Sequence, residues 1–247
     1  LRRIGDSVDV MTFVSAWCRA RIAPALSPSA AARMVRLSPG VDTTRFHPGS
    51  GGGEVRRRLG LPADAPVVVC TARMVRRKGQ DTLVRAWPTV LDAVPDAHLL
   101  LVGDGPDRSR IERMVARRGL TGSVLLTGGV PWQEIPAYTD AGDVFAMPCR
   151  SRLLGLEAEA FGIVYLEAAA SGLPVLAGSS GGAREALVDG DRGQVVVPGE
   201  SPESVAHRLV VMMRGAGGGV RRSRSEIDDR FSWTRAAEIL VAQLEVD

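Results

Sequence analysis

The chain has 247 residues, 45% of them apolar and 24% charged, enough for one large or two small domains around a sizeable core. Its formal net charge is only +3, weak support for an anionic partner, and an aromatic content of 4% argues against a stacking platform for single-stranded nucleic acid. Cys18, Cys70 and Cys149 lie far apart without a Cys-x-x-Cys pair, and His47, His98 and His207 are equally scattered, so the expectation is a reduced protein with no disulfide framework and no metal cluster.

No apolar run approaches the roughly 18 residues of a membrane span, and no signal peptide is evident. The chain opens at Leu1 rather than Met, which reads as a piece of something longer. Val8–Val14 reads as a strand, Trp17–Leu26 as a short helix and Met34–Leu37 as a second strand. It runs into Ser38-Pro39-Gly40-Val41-Asp42 and then Phe46-His47-Pro48, a stretch rich in turn residues. Gly49–Gly53 reads as a flexible linker.

From Glu54 apolar strands and amphipathic helices alternate. Strands are expected at Val67–Ala72, Ala97–Val102, Ser123–Thr127, Val144–Met147, Pro174–Ala177 and Gln194–Val197. Helices are expected at Gln80–Val94, Arg108–Arg118, Gln133–Thr139, Val164–Ser171, Arg184–Leu187 and Pro202–Arg214. In Arg108–Arg118 the apolar Ile111, Met114 and Val115 share one face, and Arg110, Arg113 and Arg117 point elsewhere, as in a sheet-covering helix. Gly215–Gly219 reads as a flexible break, the basic Arg221–Arg230 as a solvated tail, and Phe231-Ser232-Trp233 as the start of a last helix with Ser232 as its cap. Short apolar strands alternating with helices predict an α/β fold: a Rossmann-like, doubly wound parallel sheet covered on both faces.

Three segments carry chemistry. Lys78 is the sole lysine among 31 basic residues, in Arg73-Met-Val-Arg-Arg-Lys78-Gly79. A compact ammonium is not interchangeable with a guanidinium, and both cations fall at the C-terminal edge of a strand, where open α/β sheets bind ligands. Glu159-Ala-Phe-Gly162-Ile-Val-Tyr-Leu-Glu167 places seven residues between two carboxylates, around a Phe161-Gly162-Ile163 turn that opens a helix. The free N–H groups there suit an anion, and the flanking acids suit the hydroxyl groups of a nucleotide-sugar. Glu167 is expected in the first turn of that helix. By contrast, Gly103-Asp-Gly105-Pro lacks the third glycine of a dinucleotide fingerprint and reads as structural, as does Gly181-Gly182. No P-loop sequence is present.

The Glu159–Glu167 segment resembles the Glu-x7-Glu motif of retaining glycosyltransferases of family 4, which have the GT-B fold, and Arg73-x4-Lys78 resembles the basic pair with which that family grips the donor diphosphate. Pro39-Gly-Val-Asp42 with Phe46-x-Pro48 is similar to the family's hinge. The resemblance implies that residues 1–48 are the end of an otherwise missing N-terminal domain plus the hinge. Residues 49–220 would then be the nucleotide-sugar-binding, Rossmann-like domain, and 221–247 a helix crossing back to the N-terminal domain. Arg150–Glu159, read RSRLLGLEAE, together with Gly162–Glu167 is similar to actinobacterial phosphatidylinositol mannosyltransferases, in particular the type that acts on phosphatidylinositol monomannoside.

What the resemblance implies is mannosyl transfer from GDP-mannose to an inositol phospholipid, with Arg73 and Lys78 steadying charge on the β-phosphate. The amides of Ile163 and Val164 would assist. Glu159 would hold sugar hydroxyls, Gly162 would admit the sugar close to the backbone, Glu167 would hold the ribose, and Val130, in Thr127–Trp132, would line the base pocket. No metal and no cofactor beyond the donor is implied, and no nucleic acid. The acceptor and any peripheral membrane contact would belong to the missing domain, on the cytoplasmic face of the plasma membrane. Two other readings stay open: a module that binds a nucleotide-sugar without turnover, and a family 4 enzyme with another donor and acceptor. A glycoside hydrolase is disfavoured because the two acids flank an anion site, and a nucleotide-sugar epimerase because its histidines would cluster.

Overall fold

The computed structural model describes residues 1–187, 193–196, 201–216, 227 and 230–244. The chain folds around two parallel sheets of unequal size. The smaller pairs β1 (Met11–Phe13) with β2 (Met34–Arg36), register Met11 to Met34. Around it lie α1 (Arg2–Asp6), α2 (Ala16–Ile22) and α3 (Pro28–Ala32), over a small core of Leu26, Ala30 and Met34. Both strands are shorter than expected, because only three residues of each find a partner. The helix α3 has a legible start, since the Ser27 hydroxyl accepts from the Ala30 amide at 3.2 Å and Pro28 follows at the first helical position.

The larger sheet has the order β5-β4-β3-β6-β7-β8, all parallel. Its strands are β3 (Val67–Thr71), β4 (His98–Val102), β5 (Val124–Gly128), β6 (Val144–Met147), β7 (Val175–Gly178) and β8 (Gly193–Val196). The central strands are buried along their whole length: Val67, Val68, Val69 and Cys70 in β3, and Val144 through Met147 in β6. Continuous apolar runs are what a sheet covered on both faces requires. The covering helices are α4 (Gly52–Leu59), α5 (Gln80–Ala93), α6 (Arg108–Arg117), α7 (Ile135–Asp140), α8 (Ile163–Ala170) and α9 (Pro202–Ala216), and α10 (Trp233–Leu244) ends the described chain. In α6 Ile111 and Val115 are buried as the periodicity predicted, while Arg110 turns to Asp107 in a bidentate pair at 2.6 and 2.7 Å.

Several expectations change. Gly49–Gly53 is not an open linker: the Asp140 carboxylate accepts from the amides of Gly49 and Gly52 at 2.9 and 2.8 Å, and α4 begins within the run. A Cβ on Gly52 would lie 2.4 Å from the Asp140 carbonyl, so the glycine is there for close approach to α7. Arg184–Leu187 yields only a short 3-10 turn, Ala183–Ala186. Helix α9 runs on through Gly215, whereas Gly217–Gly219, Arg221–Arg224 and the Val197 end of the last strand lie outside the described residues. Ser232 caps α10 as expected, accepting from the Arg235 amide at 3.1 Å.

The two sheets meet through the residues that precede and follow them. Glu185 accepts from the Ala16 and Trp17 amides at the start of α2, at 2.8 and 3.2 Å, and pairs with Arg36 at 3.0 Å. The turn-rich stretch after β2 lies against the last helix. The Val41 amide donates to the Phe231 carbonyl at 2.7 Å, and a Cβ on Gly40 would meet the backbone nitrogen of Trp233 at 2.5 Å.

Candidate functional site

The strand order places the site. The chain builds outward from β3 through β4 to β5, then returns to add β6, β7 and β8 on the other side. Order therefore reverses between β3 and β6, and the crevice outside their carboxyl ends is where doubly wound folds bind ligands. Arg73 and Lys78 follow β3, and the long segment leading to Glu159 follows β6.

The loop after β3 is held by glycines of the neighbouring turn. Gly103 has φ 134°, and a Cβ on it would sit 2.3 Å from the Ala72 carbonyl; one on Gly105 would sit 2.4 Å from that of Met74. The Met74 amide donates to the Asp104 carbonyl at 2.8 Å. The Gly103–Pro106 turn is thus structural, as its sequence suggested. The Arg73 carbonyl accepts from the Gln80 side chain at 3.2 Å, and its guanidinium makes no ion pair among the described residues.

Lys78 ends a 3-10 turn, Arg76–Lys78, and Gly79 then reverses the chain at φ 82° into α5. A Cβ on Gly79 would lie 2.2 Å from the Pro148 carbonyl just beyond β6, so only glycine lets the two loops close. This brings the Lys78 ammonium to 2.5 Å from Glu159 Oε2. Both side chains are nearly buried, 13% and 11% exposed. Arg77 Nη1 stands 3.8 Å from the same oxygen and, though buried, has no hydrogen-bond partner.

The backbone of Glu159 is gripped as firmly as its side chain. Its amide donates to Ser180 Oγ at 3.1 Å, and its carbonyl accepts from the Gly182 amide at 2.9 Å. Gly181, at φ 57°, would drive a Cβ to 2.1 Å from the Glu159 carbonyl. The Gly181-Gly182 pair therefore serves close packing, as read from sequence, and what it packs against is the motif itself. Ser15, from the smaller sheet's side, donates to the Ala160 carbonyl at 2.7 Å.

Gly162 caps α8 in the left-handed region at φ 92°, and its Cβ position is filled by the ring of Tyr165 at 2.6 Å. Tyr165 is fully buried, donating to the Met147 carbonyl at 2.8 Å and lying 3.0 Å from Cys149 Sγ. Ile163 and Val164 are the first two helical residues, where amides lack intrahelical acceptors. Glu167 is the fifth, so it lies in the second turn of α8 and not the first, and the first turn carries no acid. Dipole stabilisation fades beyond the first turn. Burial accordingly pushes the Glu167 carboxyl up to about 7, opposed only by the charge of Arg45. Arg45 in turn lies 3.4 Å above the Trp132 ring and donates to the Trp132 carbonyl at 3.3 Å.

The fold thus brings Arg73, Lys78, Glu159, Gly162, Ile163 and Val164 to one edge, with Glu167 one turn along α8. Val130 stands further off, half-buried after β5, with β4 between that strand and β3. Arg77, Arg45 and Ser180 were not foreseen, and Trp132 was foreseen only as the end of the Thr127–Trp132 segment. Arg77 had a signal, as the neighbour of the sole lysine. Arg45 had none, because only folding carries it from the hinge-like stretch to β5 and α8.

A mannosyltransferase of Mycolicibacterium smegmatis, GDP-mannose-dependent alpha-(1-6)-phosphatidylinositol monomannoside mannosyltransferase, is 52% identical over 197 residues, covering 79% of this chain and 51% of the relative. A Corynebacterium glutamicum relative, GDP-mannose-dependent monoacylated alpha-(1-6)-phosphatidylinositol monomannoside mannosyltransferase, is 36% identical over 99% of this chain and 64% of its own length. The chain therefore spans about half to two thirds of the curated relatives it matches. Among solved structures, Anabaena Alr3699/HepE in complex with UDP and glucose superposes with a TM-score of 0.78 at 22% identity, over 96% of this chain and 63% of that one. The Rossmann-like sheet is that of a GT-B glycosyltransferase. Residues 53–217 match the family described as Glycosyl transferases group 1, and with the sheet, the switch-point crevice and these relatives in agreement, the chain belongs to that family.

Proposed function

We propose that the switch-point crevice binds a nucleotide-sugar, GDP-mannose, for retaining transfer of mannose to a phosphatidylinositol mannoside. The observation that carries this reading is the Lys78–Glu159 contact of 2.5 Å beside the open N-terminus of α8. The activity of the relatives at 36% and 52% identity supports the donor and the acceptor class.

In this reading Arg73 and Lys78 meet the diphosphate, and the Ile163 and Val164 amides complete the anion site. Charge builds on the leaving β-phosphate as the sugar bond breaks, so fixed cations and N–H donors there lower the barrier. Loss of one such donor costs about 3–4 kcal/mol of barrier, or ~10²–10³ in rate. Glu159 takes sugar hydroxyls, Glu167 the ribose, and Val130 borders the base. Residues 38–48 serve as the hinge and α10 as the return helix. The two arginine and lysine cations supply the charge, so no metal enters the reading. Acceptor binding falls to residues outside this chain's match.

Calorimetric titration with GDP-mannose, UDP-glucose, UDP-N-acetylglucosamine and ADP-glucose tests the donor. Selective GDP-mannose binding that is lost in Lys78→Ala is the expected result; preference for another donor overturns the mannosyl assignment. A second reading, donor binding without turnover by these 247 residues alone, is favoured by the 51% coverage of the Mycolicibacterium smegmatis relative. Turnover of GDP-mannose on phosphatidylinositol monomannoside by the purified chain would exclude it.

A further inference from the structure

The segment from β6 to Glu159 opens on a cation that the donor site does not use. Arg150 lies just beyond the Met147 end of β6, half-buried, with its guanidinium turned to the start of α5. Its Nη1 donates to Thr82 Oγ1 at 2.9 Å, and its Nη2 donates to Asp81 Oδ2 at 2.9 Å and lies 2.8 Å from Oδ1. The Arg150 amide donates to the Arg77 carbonyl at 2.8 Å. One residue thus fastens the loop after β6 both to the first turn of α5 and to the neighbour of Lys78. Gly79 lets the two loops approach, and Arg150 supplies bonds that keep them together.

Asp81, in the first turn of α5 with its side chain only 6% exposed, is the anchor. Besides Arg150 it meets Arg85 of its own helix at 3.0 Å and Arg110 of α6 at 3.5 Å. Arg110 carries the link to the loop after β4 through its bidentate pair with Asp107, whose amide donates to the Met74 carbonyl at 3.1 Å. The loops after β3, β4 and β6 therefore converge on one carboxylate. A nearly buried charge is costly only when it is left uncompensated. With Arg85 and Arg110 in place, loss of the Arg150 side chain leaves Asp81 paired and removes the bridge to the β6 loop alone.

We propose that Arg150 is a positioning residue: by bridging Asp81, Thr82 and the Arg77 carbonyl it sets the Arg76–Lys78 turn against the β6 loop, and so holds the Lys78 ammonium at Glu159. It acts through that turn, since both ends of its fork are taken up by α5. Small displacements of a fixed cation decide how well it meets a developing charge. The consequence for the diphosphate rests on the donor reading, whereas the Lys78–Glu159 contact that Arg150 fixes exists without a donor.

Lys78 is the sole lysine, so its acetylation by acetic anhydride, read by mass spectrometry, reports on that contact with no ligand present. Held against Glu159 and 13% exposed, it is shielded, and the terminal amine of the same chain serves as the internal reference. In Arg150→Gln, at a temperature where circular dichroism shows the variant folded, the Lys78 labelling rate should rise at least about threefold. Arg150→Lys keeps the charge but not the fork that spans Asp81 and Thr82, and should give the same rise. Arg85→Gln removes an Asp81 partner that does not reach the β6 loop, and should leave the rate unchanged. Unchanged labelling in either Arg150 variant overturns the proposal. So does an equal rise in Arg85→Gln, which would trace the effect to the charge around Asp81. Titrated with GDP-mannose, both Arg150 variants should bind about tenfold more weakly than the unaltered chain. Weaker binding with Lys78 labelling unmoved would mean direct contact between Arg150 and the donor, and equally overturns it. Failure of the unaltered chain to bind GDP-mannose would strike the donor reading alone, and the labelling would still decide for or against Arg150.

Discussion

Glu159 and Glu167 stand at the two ends of one segment, yet they meet opposite surroundings. Glu159 lies in a loop, its carboxylate 2.5 Å from Lys78 and 3.8 Å from Arg77, its backbone bonded on both sides. Glu167 lies on a helix that covers the sheet, with no ion pair among the described residues and its carboxyl pushed up to about 7 by burial. The spacing between the two acids is local, whereas the charge each carries is decided by what other strands deliver to it. A loop can be threaded between two strand ends and surrounded by cations. A helix must bury one face against the sheet, and an acid near that face loses water without gaining a partner.

The largest effect should come from breaking the paired end. Lys78→Ala leaves the nearly buried Glu159 charge facing only Arg77, and should cost about 3 kcal/mol of stability in urea unfolding. Adding Glu159→Gln to Lys78→Ala should recover part of that loss. Strictly additive single and double variants would mean that the two groups are not coupled. Next is Gly181→Ala, which places a Cβ in the left-handed region against the Glu159 carbonyl and should cost about 2 kcal/mol in thermal unfolding. An unchanged melting temperature would show that the Glu159 backbone is not held by that turn.

The unpaired end predicts a gain. Because the folded Glu167 carboxyl titrates near 7, above its ordinary 4.5, the folded chain holds this proton more tightly than the unfolded one. Stability therefore falls as pH rises from about 4.5 to about 7 and is flat beyond. Glu167→Gln removes that loss and should stabilise the chain by ~1–2 kcal/mol at pH 8, with little effect at pH 4.5. Equal shifts at both pH values would sink the assignment. If the ribose hydroxyls of a donor bond the ionised form, donor binding should also release a proton near pH 7, seen as a calorimetric heat that depends on the buffer.

The smallest effect sharpens the comparison. Arg45→Gln removes the one charge that draws Glu167 downward, together with its stack on Trp132, for about 0.5–1 kcal/mol. The Glu167 titration, followed by the pH dependence of stability, should then move above about 7. A titration left in place would detach the hinge-like stretch from the α8 carboxylate.

Most of the larger sheet was legible in the sequence. Strands with continuous valine and leucine runs, such as Val67–Thr71 and His98–Val102, can only be central strands covered on both faces, and the structure shortens or shifts their expected ends by a residue. The weak points were short elements whose partners are distant. Val8–Val14 contracts to Met11–Phe13 because β2 offers only three paired residues. Gly49–Gly53 becomes the entry to α4 because Asp140, far along the chain, bonds its amides. Of the site, the residue types and their spacing were readable. The second-turn position of Glu167 was not, since helix starts are set by caps, and the left-handed Gly162 begins α8 one residue before the apolar pattern suggests.

The sequence by itself determined the class of fold, the sole lysine with its arginine neighbours, and the two acids on either side of a helix start, because periodicity and residue chemistry are local properties. Only the tertiary structure decided that Lys78 pairs with Glu159 while Glu167 has no ion pair among the described residues. It also decided that Arg77 joins the first acid and that Arg45 comes nearest the second. Each of these depends on contacts between residues tens of positions apart, and those are made when the strand order reverses between β3 and β6 and two otherwise unrelated loops are closed against one another.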